Sequence, residues 1–245
     1  MKFVSKTDVG QKRKNNEDSI FAKIYNKDVA LYIVADGLGG YESGEVASSM
    51  LVEKISKYIE DNLRLIIDYT EQKIKNVLHV ALMLANNEIY RLEKTDDKYK
   101  GMGTTVVLLL KVKSQLFYIS IGDSRMYYIP KNKKSITQVT IDDTYVNELI
   151  RTNVIKEEEA STHPQKHILT KAVGILKGLE FSVEMFDKKT GYMILCSDGI
   201  TNMIKDEELL NIVNETEFEN LAEELINVAN KNGGTDNISA VVVQL

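Results

Sequence analysis

The stretch "VALYIVADGLGG", residues 29–40, joins a strand-like apolar run directly to an aspartate and a glycine-rich loop. Its first seven residues are all apolar, which is typical of a β-strand that is buried on both faces. The run ends at Asp36, and glycines follow at positions 37, 39 and 40. A strand with two buried faces needs a layer on each side of its sheet, so the stretch predicts stacked layers with Asp36 at an edge.

Further strands are predicted wherever an apolar run alternates or continues for several residues. These runs are "SIFAKIY", "TTVVLLLKV", "QLFYISIG", "RMYYIP", "SITQVT", "FSVEMF", "GYMILCSD" and "ISAVVVQL", at residues 19–25, 104–112, 115–122, 125–130, 135–140, 181–186, 191–198 and 238–245. Short links such as "KVKSQ" and "IPKNKKS" join neighbouring runs. Links of this length favour antiparallel hairpins.

Helices are predicted in pairs. Residues 44–63 and 70–94 form a helical hairpin, and the apolar face of its second helix is predicted to contain Ile74, Val77, Leu78, Ala81, Leu84, Ala85 and Ile89. Later helices fit residues 142–153, 206–213 and 217–234. Because the helices do not alternate one by one with strands, we expect an α+β fold in which helix pairs flank two stacked antiparallel sheets.

Composition narrows the class of protein. With 245 residues, 43% of them hydrophobic, the chain is expected to form one domain, residues 1–245. Its mild net charge of -5, without a block of one sign, argues against a nucleic-acid partner. No apolar run is long enough for a signal peptide or a membrane span, so we expect a cytoplasmic protein without membrane insertion. The single cysteine, Cys196, is predicted to be a buried core residue.

Four aspartates stand at the edges of predicted strands: Asp18, Asp36, Asp198 and Asp236. Each alone could be a turn residue or a helix cap. If stacked sheets bring them together, however, each close pair repels by about 1 kcal/mol or more unless a cation lies between them. Oxygen ligands without histidine or cysteine select Mg²⁺ or Mn²⁺ over zinc, and the bare backbone of Gly37 can add its carbonyl.

Several motifs together resemble the PPM family, the metal-dependent protein phosphatases of type 2C, and the chain is most similar to the bacterial members. The resemblance runs from Thr7 to Leu245 and rests on "NNEDS", "ADGLGGYESGEVAS", "GMGTTVV", "IGDSRMYYI", "HPQKHILTKAVG", "LCSDGI" and "GGTDNISAVVV", which occur in the family's order. It implies an α-β-β-α sandwich with a dinuclear Mn²⁺ or Mg²⁺ centre in a cleft at one end.

The resemblance also implies the reaction. Asp36 would bridge two metal ions, with the Gly37 carbonyl on one ion and Asp198 and Asp236 on the other. A hydroxide bridging the ions would then hydrolyse phosphoserine and phosphothreonine on proteins in one in-line step, without a phosphoenzyme. The phosphoproteins would be a bacterial Ser/Thr protein kinase and its substrates.

Further residues take roles from the same resemblance. Glu17 and Asp18 would hold metal-bound water, and Asp123 would bind a third, weaker ion. Arg13 matches the phosphate-binding arginine, since a guanidinium suits bidentate capture of phosphoryl oxygens. Without the family, a solvated basic loop with Lys12 and Lys14 is the better explanation of Arg13.

The segment at about 142–172 resembles the flap beside the active site, where substrate selectivity is expected. Some eukaryotic relatives carry a histidine general acid where this chain has Leu38. A metal-bound water is therefore the preferred proton donor, with His163 or His167 as the alternative. Two other functions remain open: a catalytically weak phosphate-sensing or scaffold relative, and another two-metal hydrolase such as a nuclease, although no basic track is visible.

Overall fold

The computed structural model describes residues 1–39, 43–160 and 162–245. Gly40, the last glycine of the opening loop, lies outside the described residues, as do Tyr41 and Glu42. Ser161, which belongs to the predicted flap, also lies outside them. Within the described part, strands and helices assemble into two antiparallel sheets with helices on both outer faces.

The first sheet has five strands, and it joins the two ends of the chain. In spatial order they are β1 (Lys2–Asp8), β11 (Ile238–Gln244), β10 (Tyr192–Cys196), β7 (Arg125–Ile129) and β8 (Thr137–Gln138). The second sheet has six strands. In spatial order they are β2 (Asp18–Ile24), β3 (Val29–Leu38), β5 (Val106–Val112), β6 (Gln115–Ile121) and β9 (Glu184–Phe186), while β4 (Gly103–Thr104) pairs with the end of β3.

Helices cover the outer face of each sheet. The described α-helices are α1 (Ser43–Asp61), α2 (Leu63–Ile66), α3 (Glu71–Thr95), α4 (Tyr145–Arg151), α5 (Glu157–Ala160), α6 (Asp198–Thr201), α7 (Asp206–Glu215) and α8 (Leu221–Lys231). The pair α1 and α3 packs on the second sheet, and α7 and α8 pack on the first. This α-β-β-α arrangement confirms the predicted α+β sandwich. No described helix combines the length and the apolar content that a membrane crossing requires.

The alternation along β3 explains why its sequence is apolar without interruption. Val29, Leu31, Ile33 and Ala35 pack against the helix layer, and the residues between them pack against the other sheet. Successive strand side chains point to opposite faces, so both faces of this strand are buried in separate cores. Cys196 on β10 is also buried, as predicted.

The predicted strands differ from the structure at several places, one of which is the predicted strand 181–186, reduced to the three residues of β9. β1 was not predicted, because an edge strand needs few apolar residues; its Lys2 and Lys6 instead form exposed ion pairs with Glu219 and Glu223. The predicted strand 135–140 is reduced to the two residues of β8. The predicted strand 104–112 is divided at Thr105, whose backbone and side chain both bond to Asp36.

One predicted core residue is wrong. Leu84 on α3 is 48% exposed, whereas Leu82 is 1% exposed and belongs to the core. At about 100° per residue, Leu82 lies closer than Leu84 to the centre of the stripe formed by Leu78, Ala81 and Ala85. The other six residues of the predicted face are buried, so the prediction was wrong at Leu84 alone.

Candidate active site

The end of β3 brings Asp36 to the mouth of the space between the sheets. Ala30, Tyr32 and Val34 face the first sheet, and Asp36 continues this series at the next position of the same face. Asp18 is the residue directly opposite Asp36 in the β2–β3 pairing. Residues opposite each other in an antiparallel pair share a face, so the two carboxylates lie side by side.

Asp198 and Asp236 reach the same end from the first sheet. β10 ends just before Asp198, β11 begins just after Asp236, and these two strands are antiparallel neighbours. A bond from the Ser197 amide to the Ser239 carbonyl, 3.1 Å long, holds the two connections together. The two sheets therefore contribute aspartates to one end of the sandwich.

A cavity of about 200 Å³ collects most of the predicted site residues. Its wall includes Arg13, Glu17, Asp36, Gly37, Asp123, Asp198 and Asp236. Asp18 is buried beside Asp36 rather than in the wall. The structure thus brings together residues that lie up to 223 positions apart in the chain, such as Arg13 and Asp236.

The backbone of Asp36 is fixed by two threonines. The Asp36 amide donates to Thr105 Oγ1 at 3.0 Å, and its carbonyl accepts from Thr104 Oγ1 at 2.9 Å and from the Thr105 amide at 2.8 Å. Thr105 Oγ1 is also 2.7 Å from Ser124 Oγ, next to Asp123. The position of Asp36 is therefore linked to that of Asp123.

Two glycines allow a close backbone contact beside Asp36. A Cβ at Gly37 would collide with the Gly44 carbonyl, and a Cβ at Gly44 would lie 2.6 Å from Glu17 Oε2. The Gly37 amide donates to the Glu17 carbonyl at 3.1 Å. Only residues without a side chain permit the start of α1 to approach β3 so closely.

Hydrogen bonds engage some carboxylate oxygens and leave others without a partner. Ser197 Oγ donates to Asp18 Oδ2 at 2.7 Å, Asn202 Nδ2 to Asp198 Oδ2 at 2.9 Å, and Arg13 Nη2 to Asp236 Oδ2 at 2.8 Å. Among the described residues, the buried atoms Asp18 Oδ1 and Asp198 Oδ1 accept no hydrogen bond. A buried oxygen without a partner costs free energy, and a cation offers the missing contact.

Burial and mutual repulsion disfavour the ionised carboxylates. Burial, with neighbouring carboxylates, raises the pKa of Asp36 well above its ordinary value and raises the pKa of Asp18 to about 7. The pKa of Asp123 is likewise raised to about 7 by burial and by Asp198, and the pKa of Asp198 is raised by burial and by Asp236. Without a cation, ionising all of these carboxylates together costs free energy.

The donor set fits a hard divalent cation. Its candidate ligands are carboxylate oxygens and a backbone carbonyl, the types that Mg²⁺ and Mn²⁺ prefer. Within residues 1–39, 43–160 and 162–245, no three Asp, Glu, His or Cys side chains are arranged to hold an ion as they stand. Asp236 is engaged by Arg13, whose Nη2 lies 2.8 Å from Asp236 Oδ2.

The segment predicted as the flap is attached beside the cavity at both ends. Arg125 Nη2 binds Asp142 Oδ2 at 2.7 Å, and Thr144 forms an isolated bridge with Leu169. Leu169 and His167 line the cavity, whereas His163 lies against Tyr145 with ring centroids 6.4 Å apart. Of the two candidate histidines, His167 is therefore the one placed at the site.

Sequence reasoning missed the residues that support the aspartates. They are Thr104, Thr105, Ser124, Ser197, Asn202 and Asn237. All except Asn202 lie inside the motifs quoted above, directly beside or close to a predicted ligand. Their partners are distant in sequence, so only the folded chain shows what each polar side chain contacts.

Comparisons with known proteins agree with this geometry. The family described as Protein phosphatase 2C matches residues 9–242. Serine/threonine phosphatase Stp of Listeria welshimeri is 35% identical over 243 residues, which cover 98% of this chain and 94% of that protein.

Solved structures are similar over the whole chain. The serine/threonine phosphatase PstP/Ppp of Mycobacterium tuberculosis has a TM-score of 0.86 at 31% identity, covering 100% of this chain and 98% of its own. A structure described as the PstP catalytic domain in complex with two manganese ions has a TM-score of 0.83 at 30% identity, covering 99% and 97% of the two chains.

Proposed function

The chain belongs to the protein phosphatase 2C family and is a protein-serine/threonine phosphatase, and we propose that it works with two divalent metal ions held by its aspartates. The observation that carries this proposal is the cavity where both sheets deliver carboxylates, two of whose buried oxygens have no partner among the described residues. The two manganese ions of the PstP structure support the same number here.

The proposed ligands divide by position. Asp36, on the face of β3 turned to the first sheet, would contact both ions, with the Gly37 carbonyl on one and Asp198 and Asp236 on the other. Asp18, buried behind Asp36, would orient a water ligand.

Two further carboxylates complete the proposed set. Glu17, whose pKa is raised by burial, lines the cavity and would hold water there. Asp123 would hold a third, weaker ion on the side of the flap. When bound, Mn²⁺ or Mg²⁺ supplies Lewis acidity, which activates a water for attack on phosphorus and neutralises charge on the phosphoryl oxygens.

Arg13 is the proposed phosphate ligand. Its side chain is 52% exposed, at the rim of the cavity, and its guanidinium touches Asp236. Ion pairs this exposed are weak, about 0–1 kcal/mol, so a phosphate dianion can compete for the guanidinium. Its planar fork can then hold two phosphoryl oxygens at once and orient phosphorus toward the attacking water.

The leaving serine or threonine oxygen needs a proton. Leu38 lines the cavity but has no titratable proton, so a water ligand of the ions would be the donor. His167, which also lines the cavity, is the alternative. The flap at about 142–172 would contact the peptide around the phosphoresidue, within a single catalytic domain of residues 1–245.

The proposed substrates are phosphoproteins, among them a Ser/Thr protein kinase and its targets, met in the cytoplasm. A scaffold or phosphate-sensing role would be favoured by loss of a ligand, yet Asp36, Asp198 and Asp236 are all present. A nuclease role has no supporting basic track.

A substrate comparison tests the function. We expect the protein with Mn²⁺ to release phosphate from a phosphothreonine peptide at least about 100-fold faster than it cleaves bis-para-nitrophenyl phosphate, a phosphodiester. Faster cleavage of the diester would assign a different hydrolase. No reaction with either compound, despite bound metal, would support the scaffold alternative.

A further inference from the structure

Asn237 joins both ends of the loop that carries Arg13. Its side chain is buried, with the residue 5% exposed. Oδ1 accepts from the Glu17 amide at 2.8 Å, and Nδ2 donates to the carbonyls of Val9 at 2.9 Å and Asn15 at 2.8 Å. One amide group therefore fixes residues 9–17 at three points, and Arg13 stands between them.

Packing does little to place this loop. Residues 11–15 are all exposed, so no buried apolar side chain in that stretch holds them. The loop is bonded through its backbone, as in the 2.7 Å bond from the Gln11 amide to the Gly234 carbonyl. Polar contacts with residues 234–237, together with the 2.8 Å bond from Asn16 Nδ2 to Thr7 Oγ1, consequently hold the loop that carries Arg13.

The same residues place the partner of Arg13. Asn237 directly follows Asp236, and its amide donates to Asp236 Oδ1 at 2.8 Å while Arg13 donates to Oδ2. Gly10, at φ +80°, has its backbone against the Asp236 carbonyl. A shift of the loop relative to this corner would move the guanidinium away from the cavity.

We propose that Asn237 is a positioning residue for phosphate binding: its amide holds loop 9–17 so that Arg13 faces the cavity. This inference rests on the proposed function, in which Arg13 binds the phosphoryl group. Asparagine suits the task because a primary amide offers both an acceptor and two donors. An aspartate would keep the acceptor for Glu17 but set a carboxylate against two carbonyl oxygens.

Non-additivity between Asn237 and Arg13 tests the proposal. We would measure binding of inorganic phosphate to the Mn²⁺-loaded protein by calorimetry, and KM and kcat for para-nitrophenyl phosphate, in Arg13→Ala, Asn237→Ala and the double variant. Each single change is expected to weaken phosphate binding about 10-fold. If Asn237 acts through Arg13, the double variant is also weakened only about 10-fold, not about 100-fold.

Two further variants separate positioning from general damage. Asn237→Asp is expected to bind phosphate as weakly as Asn237→Ala, and it retains side-chain volume if the alanine variant fails to fold. Asn86→Ala is the matched control. Asn86 is also a buried asparagine whose amide bonds to a distant loop: it donates to the Leu176 carbonyl at 2.9 Å and accepts from the Gly174 amide at 2.8 Å. This substitution should lower the melting temperature but leave phosphate binding within about 2-fold.

Several results would overturn the inference. The first is unchanged phosphate binding in both Asn237 variants. The second is a double variant whose loss of phosphate affinity is the product of the two single losses. The third is an Asn237 variant that loses Mn²⁺ affinity while its phosphate affinity is kept. Unchanged phosphate binding in Arg13→Ala would remove the role of Arg13 and this inference together, while hydrolysis by the wild type would leave the phosphatase function standing.

Discussion

Asp236 is engaged at both carboxylate oxygens, by Arg13 on one side and by the Asn237 amide on the other. As a proposed metal ligand it contributes a charge that asparagine lacks. We expect Asp236→Asn to fold and to lose at least about 100-fold in kcat/KM, because a missing transition-state contact of a few kcal/mol implies such a drop. Phosphate release and thermal unfolding of the purified variant measure the two effects.

Asp187→Asn is the control for this change. The Asp187 side chain is 85% exposed, so the substitution removes the same charge at the surface, away from the cavity. It should retain the activity of the wild type. If Asp236→Asn kept more than about a tenth of the activity, Asp236 would not be a required ligand.

Sequence reasoning found the four aspartates because each stands at the edge of a predicted strand, and three of them adjoin glycine or a glycine pair. It did not find Asn237 or Thr105, because their roles depend on partners such as Val9 and Asp36 that are far away in the chain. The hydrogen-bond partner of a polar residue beside a ligand can therefore be identified only in the folded structure.

The junction of β3, β4 and β5 depends on one buried hydroxyl. Thr105 Oγ1 accepts from the Asp36 amide and contacts Ser124 Oγ. Thr105→Val leaves both groups without that partner, so we expect the free energy of unfolding to fall by about 1–3 kcal/mol. Because Asp36 loses a support, kcat should fall as well.

Denaturant unfolding and phosphate release measure this prediction. Thr95→Val serves as the control, since Thr95 is exposed at the end of α3 and its hydroxyl donates to the Arg91 and Leu92 carbonyls of its own helix. Equal effects in the two variants would show that the Thr105 hydroxyl contributes nothing specific.

At the level of elements, long periodic segments were predictable and irregular ones were not. The hairpin α1–α3 and strands such as β3 follow from their apolar patterns. β1 was missed because it is an edge strand, and it is placed by pairing Lys2 with Gln244 at the other end of the chain. Local pattern contains no information about such a pairing.

Across the whole molecule, the carboxylates make stability depend on pH in the metal-free state. The pKa of Asp18 and of Asp123 is about 7 in the folded protein, against an ordinary value of 3.8. Between these values the folded chain holds protons that the unfolded chain has released, so stability falls as pH rises from about 4 to about 7.

Thermal unfolding of chelator-treated protein tests this sign. We expect a higher melting temperature at pH 5 than at pH 8, and Mn²⁺ should abolish most of the difference by neutralising the carboxylates. Asp18→Asn, which removes one of the titrating groups, should show a smaller difference. A melting temperature that rises with pH in the metal-free wild type would contradict the prediction.

The proposed function depends on two divalent ions held by the aspartates at one end of the sandwich. Calorimetric titration of chelator-stripped protein with Mn²⁺, followed by phosphate release from a phosphothreonine peptide at each step, measures ion binding and activity together. We expect two ions per chain, activity that rises with their binding, and loss of both in Asp36→Asn. Full activity in stripped wild type, with its metal content verified as nil, would show that hydrolysis does not need the ions.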